Sequence, residues 1–304
     1  MTLSRDVPTL FNVGSLNADW VYHVDEIVRP GQTLAACSRS RFAGGKGANQ
    51  SVAAAAAGAK VRHIGCIGPD GAWLRDELDR RHVDTRAIRV SDDTPTGHAV
   101  IQIDSSGENA IVLFPGANHQ VTPDLLAASL ADARPGDWLL TQNETSRVAE
   151  ALRLGQSYGL RTVFNPAPAA VGGDEFPLDL IDLLIVNETE AAVFSDAPTV
   201  TGKVQQLGQW VRGTAVLTMG GRGSLASDGG DVKQQPAVHV DSVVDTTGAG
   251  DTFIGYLVAS LMGGKTLVEA LEWAAYAAAL AVTRAGAIPG IPTGDQVAAF
   301  RTDR

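Results

Sequence analysis

Two glycine-rich stretches, each running into an apolar helical segment, carry residue types suited to an anion or a polyhydroxylated ligand. One is "VVDTTGAGDTFIGYLVASL" at 243–261. A short apolar run ends at Asp245, a Gly248-Ala249-Gly250 turn follows, and an apolar helix is expected to begin near Asp251. That order aims the free N–H groups of a helix N-terminus at an anion. A carboxylate at the same N-terminus is stabilised electrostatically and stays ionised near neutral pH. Beside an anion pocket, Asp251 is a candidate to accept the proton of an attacking hydroxyl. Taken alone, an Asp before a helix is more often only its cap.

The other stretch is "FAGGKGANQS" at 42–51, which has half the features of a P-loop. A Walker A loop needs Gly, four residues, Gly-Lys and then Ser or Thr. Counted from Lys46, the leading glycine falls on Ser40 and the hydroxyl position on Gly47, so both ends fail. "GGKT" at 263–266 has the threonine, but its leading position is Ala259, and Gly263 and Gly264 read as a helix C-cap. No P-loop is present. The pair Gly44-Gly45 still lets the backbone approach a partner closely. Asn49 and Gln50 fall in the first turn of the following helix, where polar side chains can face a ligand.

The elements that must position these residues follow from the rest of the chain. Apolar β-rich runs ("LFNVGS", "KVRHIGCIG", "DWLLTQ", "TVFNPAP", "DLLIVN", "TAVLTMG") alternate with longer periodic segments or glycine turns. This alternation predicts an α/β fold with a mainly parallel central sheet and helices on both faces. Two segments break the rhythm, about 17–42 and 94–115. In the second, two β-rich runs flank the turn cluster "DSSGEN" with no helix between them. They predict a small second β layer projecting from the main body. Such a sheet is marginal alone and needs a site or another subunit to cover.

Composition narrows the partners. The 304 residues carry a formal net charge of −10 with no block of Lys or Arg. Nucleic acid and anionic membrane surfaces are therefore not expected partners, and small molecules are. The two cysteines make no disulfide framework and lack zinc-ligand spacing. The start "MTLSRDVPTL" has no apolar leader core. The apolar runs Thr252–Gly264 and Trp273–Val282 are too short to span a bilayer and are read as buried core helices. The expected location is the cytoplasm.

Taken together, the motifs resemble the PfkB family of carbohydrate kinases, and within it the ribokinase-like members. The resemblance rests on "GSLNAD" (14–19), "GGKGAN" (44–49), "PTGHAVI" (95–101), "GEN" (107–109), "PGAN" (115–118), "NPAPA" (165–169), "NETEA" (187–191), "TMGGRG" (218–223), "DTTGAGDTF" (245–253) and "AVTRAGA" (281–287). Each is short, but their order and spacing are specific. The resemblance implies one ribokinase-like α/β domain over 1–304, with a lid built from about 17–42 and 94–115. It implies ATP-dependent phosphorylation of a sugar's primary hydroxyl, with D-ribose to ribose 5-phosphate as the leading reaction. The alternative is another PfkB-type sugar or nucleoside kinase.

By similarity, Asp251 is the base, and the backbone of Gly248, Ala249 and Gly250 is the anion hole. Asn17, Asp19, Gly45, Lys46, Asn49 and Glu144, with Asp251, would hold the sugar. Asn187, Thr218, Gly220, Gly223 and Gly250 would bind ATP, and Glu190 would organise Mg²⁺ through water. Asp245, Thr247, Ala281, Arg284, Gly286 and Gly290 match a monovalent cation site, with K⁺ the expected ion. Gly290 departs from the serine common there, and Ala275 departs from the Asn or His common near the adenine, where Tyr276 is a neighbour. The lid implies a homodimer formed through it. His98 lies in the lid segment, and a surface or interface position is expected for it.

Two other classes are disfavoured. No GxGxxG opens the first βα unit, which argues against a dinucleotide-binding oxidoreductase. A purely sugar-sensing relative has no need of Asp251 facing an anion hole.

Overall fold

The computed structural model describes residues 7–169 and 176–302. The first six residues, part of the start read above as lacking a leader core, lie outside that range. In chain order the strands are β1 (Thr9–Val13), β2 (Asn17–His23), β3 (Ser38–Gly44), β4 (Lys60–Ile67), β5 (Asp84–Val90), β6 (Gly97–Ile103), β7 (Asn109–Phe114), β8 (Trp138–Gln142), β9 (Arg161–Asn165), β10 (Leu183–Asn187), β11 (Thr214–Thr218), β12 (Ser224–Ser227) and β13 (Val232–Gln235). The helices are α1 (Lys46–Ala56), α2 (Ala72–Arg80), α3 (Pro123–Ser129), α4 (Val148–Ser157), α5 (Glu188–Phe194), α6 (Val200–Trp210), α7 (Ala249–Met262), α8 (Leu267–Ala281), α9 (Ala287–Gly290) and α10 (Gly294–Thr302).

Nine strands form the main sheet in the order β13-β12-β11-β10-β9-β8-β1-β4-β5. From β5 to β11 every neighbouring pair is parallel, and β12 and β13 close one edge antiparallel. The central strands read as almost unbroken apolar runs because both faces are covered. Leu10, Leu140, Val163, Ile185 and Val216 join a core with α1, α7 and α8. Phe11, Leu139, Phe164, Leu184 and Leu217 join a second core with α3, α4 and α6. Each fully buried side chain of this size contributes about 1.5–3 kcal/mol of transfer free energy.

The alanine run of α1 has a specific use. A Cβ at Gly255 of α7 would lie 2.4 Å from the Ala53 Cβ. Only small residues on both helices allow this approach. It brings the N-termini of α1 and α7 side by side.

The excursions form a separate four-stranded sheet, β3-β2-β6-β7. β2 pairs antiparallel with β3 and parallel with β6, and β6 pairs antiparallel with β7. These strands cover 17–44 and 97–114, so the first segment runs two residues beyond position 42. Strand alternation puts Asn17 and Asp19 on one face and Ala18 and Trp20 on the other. His98 pairs with Ala18, so it lies on the face away from Asp19, with its ring 5.2 Å from that of Phe114. On that same face, the Arg41 guanidinium lies 5.5 Å from the Trp20 ring and 4.1 Å from Trp73 of α2. Strand β7 leaves Ile111, Val112, Leu113 and Phe114 exposed. Among the described residues, no helix is long and apolar enough to cross a membrane.

Candidate active site

Strands β8, β9, β10 and β11 each end on a polar residue, Gln142, Asn165, Asn187 and Thr218 in turn. All four polar ends lie on the carboxyl edge of the parallel sheet. β1 is flanked by β4 on one side and β8 on the other, so the winding direction reverses there. In open α/β sheets, the crevice outside the carboxyl ends at such a reversal is where ligands bind.

Asp251 enters this crevice from the first turn of α7. The Asn49 Nδ2 donates to its Oδ2 at 2.9 Å, and the Gln50 Nε2 donates to its Oδ1 at 2.9 Å. Burial pushes the Asp251 carboxyl up from the usual carboxylate range. The Lys46 charge and the two amide donors pull against it, and Glu144 adds to the rise. The Lys46 Nζ lies 3.6 Å from Glu144 Oε1. Burial opposes the Lys46 charge, but Asp251, Glu144 and Glu190 outweigh it and hold the ammonium above its ordinary value. Asp19 faces the same cleft from β2. Burial and the nearby Glu144 charge drive its carboxyl up to about 7.

Glu144 does two further things. Its Oε2 accepts the Lys46 backbone N–H at 3.0 Å and the Ser15 hydroxyl at 2.5 Å. The Ser15 Oγ in turn accepts the Gly47 N–H at 3.1 Å. The start of α1, at Gly45, is thus capped from remote parts of the chain. Asn17 is buried, and its Oδ1 accepts from Asn118 Nδ2 at 2.8 Å. The cleft therefore gathers Asn17, Asp19, Gly45, Lys46, Asn49, Glu144 and Asp251. One ammonium, three carboxylates and two amides supply the donors and acceptors that fix a polyol.

The start of α7 is built differently. Gly248 precedes it at φ 76°, a left-handed conformation that favours glycine. The Ala249 N–H bonds to Thr246 O at 3.2 Å. The N–H groups of Gly250 and Asp251 have no intrahelical acceptor, as at any helix start. A Cβ on Gly250 would meet nothing within 4 Å, so this turn faces open space.

On the far side of the crevice, Asn187 and Thr218 are register partners at the ends of β10 and β11. Gly220 opens a short 3-10 turn that ends at Gly223. Asn187 and Glu190 form a reciprocal capping box on α5: the Glu190 N–H donates to Asn187 Oδ1 at 2.8 Å, and the Asn187 N–H donates to Glu190 Oε2 at 2.9 Å. Burial pushes the Glu190 carboxyl up. Arg222 pairs with Glu188 at 2.5 Å on the rim. Ala275 is buried, and the neighbouring Tyr276 stands edge-on to Phe300.

The donor sets can be tested against the expected ions. Among the described residues, no three His, Cys, Asp or Glu side chains converge as a metal centre. A lone Glu190 suits Mg²⁺ that keeps its waters. Asp245 accepts from the N–H groups of Thr247 and Gly286, each at 2.8 Å. Burial raises the Asp245 carboxyl, but these hydrogen bonds outweigh it and hold the group below its ordinary value. A Cβ on Gly290 would lie 3.4 Å from Ala281 O and 3.7 Å from Arg284 O. A serine there would aim its hydroxyl at that carbonyl pair, and glycine leaves it to the backbone. Neutral carbonyls beside one ionised carboxylate suit a large monovalent cation.

Several contributors escaped the sequence reading. Gln50, expected to face a ligand, is fully buried and bonds to Asp251 instead. Gln142 lay in no quoted motif, and Ser15, Asn118 and Asn165 lay in motifs of the resemblance without being given a role. The usable signal was the polar residue ending each apolar strand.

Three comparisons bear on this site. A family model described as pfkB family carbohydrate kinase matches residues 8–294. The chain is 38% identical over 301 residues to a ribokinase of Haemophilus influenzae, covering 96% of this chain and 98% of that protein. Among solved structures, a ribokinase from Cryptococcus neoformans in complex with ADP aligns with a TM-score of 0.83 and 36% identity, covering 96% and 99% of the two chains. An Arabidopsis thaliana ribokinase complexed with ribose and ATP aligns with a TM-score of 0.86 and 31% identity, covering 97% and 99%.

Proposed function

The chain belongs to the PfkB family of carbohydrate kinases and is an ATP-dependent sugar kinase; from that premise we propose that it converts D-ribose to ribose 5-phosphate. What supports this reading is the meeting of Asp251, at the open start of α7, with the polyol-suited cleft of Asn17, Asp19, Lys46, Asn49 and Glu144. The ribokinase relatives, one of them complexed with ribose and ATP, support ribose as the sugar.

In this mechanism Asp251 accepts the proton of the sugar's primary hydroxyl. The hydroxyl oxygen forms its bond to the γ-phosphorus of ATP while the bond from that phosphorus to the bridging oxygen breaks, and ADP leaves. Phosphoryl transfer needs positioning and charge stabilisation more than covalent chemistry. The start of α7, Gly248 to Gly250, stabilises the transferred group, chiefly through the Gly250 N–H because Ala249 already bonds within its turn. Asn187, Thr218, Gly220 and Gly223 hold the nucleotide.

Mg²⁺, organised through water by Glu190, would neutralise phosphate charge. A K⁺ site formed by Asp245, Thr247, Ala281, Arg284, Gly286 and Gly290 would support the anion hole. The whole chain acts as one cytoplasmic unit. Its small sheet is a lid that excludes water from the sugar, and the exposed apolar strand β7 supports pairing of two lids in a homodimer.

The test is a panel of pentoses, hexoses and nucleosides with ATP, Mg²⁺ and K⁺. Ribose should give the highest kcat/KM. Absence of turnover with every pentose and hexose overturns the proposal. Preference for adenosine over ribose would move the chain to the nucleoside-kinase alternative.

A further inference from the structure

Gln50 is fully buried just past the first turn of α1 and has no part in the transfer chemistry described above. Its amide nonetheless touches the proposed base. The Nε2 donates to Asp251 Oδ1 at 2.9 Å and to Asn165 Oδ1 at 3.1 Å. The Oε1 accepts from Gln142 Nε2 at 2.8 Å. Gln142 is itself anchored, donating to Asn12 Oδ1 at 3.0 Å, while Asn12 donates to Gly47 O and Ser51 Oγ, each at 2.8 Å. On the other branch, Asn165 Nδ2 donates to Ile185 O at 2.9 Å.

Each amide in this chain has only one favourable orientation. Turning the Gln50 amide over would put its oxygen against the Asp251 carboxylate and its NH₂ against the NH₂ of Gln142. Both contacts would be repulsive, and the low dielectric of this buried position would strengthen them. The direction of the Gln50 amide is therefore set by residues that do not touch Asp251.

We propose that Gln50 is a positioning residue for phosphoryl transfer: it holds the Asp251 carboxylate in one rotation and favours its ionised form, and Gln142 sets the direction of the Gln50 amide. The inference rests on the reading of Asp251 as the base. The charged groups facing Asp251 are Lys46 of α1, Glu144 after β8, Asp19 of β2 and Glu190 of α5. Among them only Lys46 favours the ionised carboxylate. The Asn49 and Gln50 donors add to it, alongside the N-terminus of α7.

The test is the pH dependence of kcat/KM for ribose in the wild type and in Gln50→Leu, Gln50→Glu and Gln142→Leu. Loss of the donor in Gln50→Leu should lower kcat about 10- to 100-fold and move the acid limb up by about one pH unit. The KM for ATP should stay within about 3-fold, because no nucleotide contact is removed. Gln50→Glu adds a second carboxyl beside the first and should move the limb further in the same direction. Gln142→Leu should give a smaller upward shift, although Gln142 lies one residue removed from the base.

A folded Gln50→Leu with an unmoved acid limb and kcat within about 2-fold of wild type overturns the inference. If that variant does not fold, acid limbs at the wild-type position in both Gln50→Glu and Gln142→Leu overturn it equally. A wild type that turns over no sugar at all overturns the sugar-kinase reading and this inference together. An active wild type with unresponsive variants overturns the inference alone.

Discussion

The helices α1 and α7 start alike and end up with opposite assignments. Each is preceded by a glycine at positive φ, Gly45 at 91° and Gly248 at 76°, and neither has a side-chain cap from its own preceding residue. They lie side by side because Gly255 accepts the close approach of Ala53. At α1, the protein itself fills the free N–H groups: Glu144 takes that of Lys46 and Ser15 takes that of Gly47. A carboxylate already occupies the place a phosphate would need. At α7, the Gly250 turn faces open space. A glycine-rich helix start is thus an anion site only when nothing else in the fold reaches it. The contrast supports the proposal that Lys46, despite its P-loop-like surroundings, holds the sugar.

The strongest way to break this contrast is Asp251→Asn. It should lower kcat about 10²- to 10⁴-fold by removing the proposed base, while ADP binding, followed by calorimetry, stays close to wild type. Near-normal turnover would end the assignment of α7 as the reacting end. Next comes Lys46→Ala, expected to raise the sugar KM about 10-fold or more, a loss of about 1.4 kcal/mol, and the ATP KM far less. The reverse pattern in steady-state kinetics would return α1 to phosphate binding.

Glu144→Ala sharpens the comparison, because it opens the α1 start in the way α7 is open. Two hydrogen bonds to a carboxylate and an ion pair are lost. Urea unfolding should show a loss of about 1–3 kcal/mol. An unchanged midpoint would mean that the cap is not stabilising.

The smallest effect concerns Asp19, whose carboxyl is raised to about 7 from an ordinary 3.8. The native state takes up this proton before the unfolded chain does, so stability rises as pH falls through about 7. Asp19→Asn removes the cost of the buried charge. It should raise Tm by roughly 2–4 °C at pH 8 and by much less near pH 4. Equal shifts at both pH values would contradict this.

How much of this was legible beforehand differs by level. The parallel sheet followed from β-rich runs alternating with helical segments, and the second β layer from two β-rich runs around a turn cluster with no helix between them, both local signals. The start of α7 was readable because a glycine turn before an apolar helix is also local. Glu144 entered only through the family resemblance, since its partners Ser15 and Lys46 lie far away in sequence. Gln50 was visible, but its direction was not. A polar residue in a helical turn looks ligand-facing until the neighbouring helix, here carrying Asp251, is in place. Gln142 and Asn165 look like ordinary strand ends, because amide networks are fixed by strand register and sequence does not print register.

The contact of Arg41 with Trp20 and Trp73 has an optical consequence. Two of the five tryptophans sit at the junction between the small sheet and α2, and one guanidinium lies against both rings. Indole emission responds to a nearby cation and to wetting. The remaining three, Trp138, Trp210 and Trp273, lie on β8, on α6 and on α8. The protein therefore carries an intrinsic fluorophore pair where its smaller sheet meets α2, and sugar titrations can follow that junction without a label.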